Sequence, residues 1–119
     1  MTPLSSPDTI RVYADWTPGA LDVRQALWRW LPRLGPTASL ALQHLATVAE
    51  FTSPALPGSS TVDIPEMATA LGVKPYVLRH AIDRLVRFRC AAWLSPEALA
   101  IRMQLPERAR RPEPAEATS

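Results

Sequence analysis

Residues 62–89 read VDIPEMATALGVKPYVLRHAIDRLVRFR, and the spacing inside this stretch decides the fold. Pro65 suits the first turn of a helix, where a fixed φ helps and the missing N–H is no loss. Met67, Ala68 and Leu71 then share one face. Gly72 takes the position just past a helix, where φ is often positive and a Cβ costs energy. After Val73 and Lys74, Pro75 opens a second helix with the apolar stripe Leu78, Ala81, Ile82 and Leu85, and with Val77 and Val86 on its shoulders. Two helices joined by so short a turn must cross steeply and bury their stripes on each other, as in a helix–turn–helix.

At 100° per residue the other face of the second helix carries Tyr76, His80, Asp83 and Arg87, flanked by Arg79 and Arg84. Long donor and cationic side chains are what a helix needs to reach base edges and phosphates in a major groove. The plainer reading is a solvated face on an ordinary helical hairpin. A short helix, a glycine turn and a basic second helix occurring together favour the DNA reading.

The run LGVKPYVLRHAIDRLVRFRCAAWL resembles the helix–turn–helix and first wing strand of winged-helix bacterial regulators of the multiple-antibiotic-resistance and arsenic-repressor types. The matching positions are Met67-Ala68 with Leu71-Gly72, then Leu78, Ile82 and Leu85. A hairpin follows, from Ala91–Leu94 to Leu99–Arg102 across Ser95-Pro96-Glu97-Ala98. Arg89 stands where such helices often end in glycine, and the hairpin tip carries no basic residue. The resemblance covers about residues 37–103 and implies a mainly α fold with a small β-hairpin wing: a winged helix-turn-helix with an N-terminal helical extension. It speaks to fold more than to function.

The formal charge of +2 conceals a division along the chain. Residues 1–73 hold four basic and six acidic side chains, whereas residues 74–111 hold nine basic and three acidic. Positive charge thus gathers on the second helix, the wing and the segment after it, where an anionic partner is favoured. At 119 residues and 47% hydrophobic, the chain can bury one small core. No apolar run approaches the roughly 18–20 residues of a membrane span, and the N-terminus MTPLSSPDT lacks a signal pattern, so a cytoplasmic protein is expected. Lone Cys90 forbids an internal disulfide and reads as a small buried residue, with a redox or metal role the alternative.

From the start, residues 1–9 are Pro- and Ser-rich and read as disordered. Residues 10–36 form the extension: a short strand IRVYADW over Ile10–Trp16, a turn at Thr17-Pro18-Gly19, and a helix over Ala20–Leu31. That helix has the stripe Ala20, Val23, Leu27, Trp30 and Leu31, and Pro32 ends or kinks it. Thr37 is placed to cap a central helix running to about Phe51, with a polar stripe of Ser39, Gln43, Thr47 and Glu50 and broad apolar cover elsewhere. His44 on its border reads as structural. A loop, TSPALPGSST, leads to Thr61–Ile64, expected to pair with the wing hairpin. Residues 104–119 read as a disordered basic and Pro-rich tail, whose Arg108, Arg110 and Arg111 either extend the phosphate grip or merely solubilise the end.

An enzyme is not expected. There is no Gly-rich phosphate loop, no ligand pattern joining His44, His80 and Cys90, no cofactor motif, and no Ser/His/acid set. The expected function is sequence-specific binding of double-stranded DNA by a small transcriptional regulator. Arg79, His80, Asp83 and Arg87 would read bases, with Lys74, Tyr76, Arg84 and Arg102 on phosphates. The alternatives are a winged helix used for protein contacts and a phage or plasmid factor for excision, partition or replication control. A homodimer is expected through Leu27, Trp28, Trp30 and Leu31, because the Ala20–Leu34 segment carries more apolar surface than one buried side hides. The competing arrangement wedges Trp28 and Trp30 against the central helix in a monomer.

Overall fold

The computed structural model describes residues 8–50 and 61–107. In chain order these form β1 (Thr9–Asp15), β2 (Leu21–Asp22), α1 (Val23–Leu34), α2 (Pro36–Glu50), β3 (Thr61–Asp63), α3 (Ile64–Leu71), α4 (Pro75–Arg87), β4 (Ala91–Ser95), β5 (Ala98–Arg102) and β6 (Gln104–Leu105). The fold is therefore mixed α/β rather than mainly α. Four helices pack with a four-stranded sheet of order β3-β1-β5-β4, and β2 pairs with β6 apart from it.

The expected hairpin forms, with β4 and β5 antiparallel and a register slip between Trp93 and Ser95. It does not stand free. The strand expected at residues 10–16 forms as β1 and lies inside the sheet, antiparallel to β3 (Ile10↔Val62) and parallel to β5 (Val12↔Leu99). β3 was expected to meet the hairpin and instead meets β1. The reason is apolar alternation: Ile10 and Val12 are buried on the face that also buries Leu99 and Ile101, so an interior position hides them best. β1 thus lies within the main sheet, while β2 pairs with β6 outside it.

Helix ends follow local chemistry. Asp22 caps α1, its carboxylate accepting from Arg24 N at 2.9 Å. α1 runs through Pro32 to Leu34 and stops at Gly35, whose φ of 84° needs no Cβ and whose N–H reaches Leu31 O at 2.8 Å. α2 begins at Pro36, one residue before the expected cap at Thr37. Asp63 caps α3 by accepting from Glu66 N at 3.0 Å. Gly72 closes α3 at φ 75°, with Gly72 N bonded to Thr69 O and Val73 N to Ala68 O. That pair of bonds is a Schellman motif.

α2 is the central element and packs against α1, α4, β1 and β5. Leu42, Leu45, Ala46 and Ala49 are buried along it. Ser39, assigned to its polar stripe, is also buried, because α1 folds back over that side of the helix after the one-residue turn at Gly35. Trp30 is 1% exposed, so it is a core residue and not an interface anchor. Its Nε1–H donates to Pro106 O at 2.8 Å, and its ring meets Phe88 edge-on at 6.4 Å. This contact also draws residues 104–107 into the fold: Leu105 is fully buried, and Glu107 pairs with Arg29. The readings made for the TSPALPGSST loop from Thr52 to Ser60, and for the tail from 108 onward, lie outside the described residues. No described helix is long and apolar enough to cross a membrane.

Candidate nucleic-acid interface

α4 carries the candidate site, and its inner stripe fixes which way the site faces. Leu78, Ala81, Ile82 and Leu85 are all buried, with Val77 and Val86 half-buried beside them, as the periodicity predicts. The opposite face then has to look outward. Lys74, Tyr76, His80, Asp83 and Arg87 are all exposed there. Tyr76 and His80, one turn apart, meet edge-on with ring centroids 6.3 Å apart. Lys74 occupies the N-cap position and makes no side-chain capping bond, so its ammonium is not spent on the helix end.

Two arginines assigned to this face are engaged within the protein. Arg79 is half-buried, and its Nη2 donates to Asp8 Oδ1 at 2.7 Å, tying α4 to the residue before β1. Arg84 Nε donates to Leu34 O at 2.8 Å and its Nη2 to Arg33 O at 2.5 Å. Its guanidinium also lies 5.2 Å from the Phe88 ring centroid. Those carbonyls end α1, where the helix dipole is negative and a cation is favoured. Arg84 therefore clamps α1 to α4. Periodicity places a side chain on a face, but it does not reveal that a neighbouring helix ends there.

A groove of about 490 Å³ runs between α4 and the start of α2. His80, Asp83 and Arg87 form one wall, and Gly35, Pro36 and Thr37 the other. Asp83 is the only acidic side chain lining it, facing the positive end of the α2 dipole.

Arg102 sits apart from this face, half-buried on β5, with Nη2 directed to Pro18 O at 3.3 Å. It lines a second groove with Arg89, Trp93 and Val86, past the C-terminal end of α4. Arg89 was absent from the expected contact set and is exposed here at a left-handed φ of 63°. Its signal in the sequence was an arginine at a position that favours glycine. Cys90, just before β4, is fully buried, and burial pushes its thiol up to about 12 against a weaker opposing pull from Arg102. A thiol held neutral in this way is a packing residue. Among the described residues no cluster of His, Cys, Asp and Glu could hold a metal ion. Arg108, Arg110 and Arg111 lie outside the described residues.

The α1 residues expected to form a dimer face divide. Trp28 is 82% exposed and Leu31 partly exposed, Leu27 is half-buried, and Trp30 is in the core. Exposed Leu40 of α2 lies beside Trp28 and Leu31 in a third groove, a residue to which the sequence reading gave no place. No family model, curated protein or solved structure matches this chain.

Proposed function

We propose that the protein binds double-stranded DNA sequence-specifically, as a small transcriptional regulator of winged-helix type with α4 in the major groove. The observation that carries this reading is the outward face of α4. Tyr76, His80, Asp83 and Arg87 on successive turns, with Lys74 at the N-cap, project donors, acceptors and charge from a helix whose opposite face is anchored in the core. A rigidly seated helix with an exposed polar face suits base-edge recognition.

In this reading Tyr76, His80, Asp83 and Arg87 meet bases, while Lys74 at one end and Arg89 and Arg102 at the other meet phosphates. Arg79 and Arg84 orient the helix. Arg108, Arg110 and Arg111 add sequence-independent attraction. The test is selection of bound duplexes from a random pool, followed by anisotropy titrations across salt. An enriched motif is expected, with affinity falling as salt rises by a logarithmic slope of about 0.9 per phosphate neutralised. A pool that stays random, with binding indifferent to salt, overturns the reading.

One observation favours a second reading, a protein-contact module. β4 is an edge strand with Trp93 and Leu94 exposed, and such an edge can accept a strand from a partner. Under that reading Trp93→Lys abolishes partner capture and leaves DNA out of account.

A further inference from the structure

Apart from α4, the most unusual surface is where α1 and α2 meet. Trp28 stands out from α1 with 82% of its surface exposed, and its indole N–H has no partner among the described residues. Directly beside it a groove of about 430 Å³ runs between the helices, walled by Leu27, Leu31, Pro36, Leu40 and Gln43. Ser39 also lines this groove. Its hydroxyl is withdrawn from solvent, the residue being only 7% exposed, and it has no hydrogen-bond partner. A buried hydroxyl without a partner is costly and uncommon in a finished structure.

We propose that two copies of the chain pair through this face. Each Trp28 enters the α1–α2 groove of the other copy and donates its N–H to the Ser39 hydroxyl there. Knob and hole occupy the same face, so a single two-fold axis satisfies both at once, as an isologous contact requires. The unpartnered donor of the knob matches the unpartnered acceptor in the hole. Nor does the rim oppose a second copy: Arg24, the one charged residue lining the groove, is already neutralised by Glu50 and Asp22.

The size of the patch sets the strength. An exposed tryptophan offers on the order of 200 Å², and with Leu31, Leu40 and the rim the two copies together bury roughly 1,000 Å². That is the lower end for specific interfaces, so the dimer is a reversible one of micromolar affinity. Because the surface lies on α1 and α2 and its test contains no DNA, this inference stands or falls separately from the function proposed for α4.

The test is sedimentation equilibrium of the full chain over a concentration series. Wild type is expected to shift from its 13.1 kDa monomer to twice that mass as concentration rises through tens of micromolar. Trp28→Glu should remain monomeric at every concentration with unchanged circular dichroism, since the side chain it replaces is exposed. Ser39→Ala and Trp28→Phe should each weaken association at least tenfold, and the double variant should be little worse than either alone. Ser39→Ala should not lower the monomer's melting temperature, because it removes an unpartnered hydroxyl. A wild type that stays monomeric at a few hundred micromolar overturns the proposal. So does a Trp28→Glu dimer, or a Ser39→Ala variant that associates like wild type.

Discussion

Arg84 and Arg87 lie one turn apart on α4, yet the structure gives them different work. Arg84 spends its donors on the last carbonyls of α1 and its flat face on Phe88, whereas Arg87 is exposed on the groove wall. Arg84→Ala is therefore expected to lower unfolding free energy by about 1–2 kcal/mol, allowing for its partial exposure, when measured by urea titration. Arg87→Ala should leave that titration within about 0.5 kcal/mol of wild type. It should instead cost about 1–3 kcal/mol of affinity for a selected duplex if it contacts guanine. Reversal of the two effects would exchange their roles. Cys90 makes a prediction in pH. Burial raises its thiol from the ordinary 9.0 to about 12, so folding favours the protonated form. That contribution is complete below pH 9 and is lost as the pH climbs from 9 towards 12, where the unfolded chain ionises first. Cys90→Ala should flatten the fall in stability over that window, and the native thiol should resist a disulfide reagent at pH 8 until the protein is unfolded.

Among the elements, the connections are as demanding as the helices they join. The α3–α4 turn depends on Gly72 at φ 75°, where an alanine finds open space but an unfavourable backbone. Gly72→Ala should cost about 1 kcal/mol in a urea titration, through strain alone. Gly19 poses the opposite problem. A Cβ there would lie 2.7 Å from Gln104 C and 2.9 Å from Leu105 N, both backbone atoms that cannot swing aside. Gly19→Ala is expected to push residues 18–20 off β6 and break the bond from Ala20 N to Leu105 O. The loss should be about 1–3 kcal/mol, with Trp30 fluorescence shifting red as its Pro106 acceptor moves away. A variant as stable as wild type would mean that β6 is free to yield.

Across the whole molecule, the ends of the described chain close the fold. β1 is an interior strand of the sheet, Asp8 reaches α4 through Arg79, and Ile64 N bonds back to Asp8 O at 2.6 Å. A chain lacking residues 1–16 should therefore fail to fold, with circular dichroism lacking a cooperative transition. Independent folding of residues 17–119 would return β1 to the status of an appendage. Truncation before Gln104 should likewise unseat α1, because it removes buried Leu105 and the acceptor for Trp30.

Local pattern alone determined the helix–turn–helix stretch. The stripe Leu78, Ala81, Ile82 and Leu85, the turn at Gly72 and the hairpin after Arg89 all follow from periodicities and backbone preferences that act within a few residues. The strand over Ile10–Trp16 was legible for the same reason, as Thr9–Asp15. What only the tertiary structure decided is which partner each element takes. The alternation of IRVYADW announces a strand but carries no information on the neighbours it hydrogen-bonds, and these proved to be β3 and β5. Trp28 and Trp30 are two residues apart, about 200° around one helix, and the apolar stripe holds Trp30, but periodicity does not say whether Trp28 beside it is covered or left bare. The packing of α1 on α2 and of Phe88 under α1 settled it, and the end of α1 beside α4 turned Arg84 from a candidate contact into a clamp.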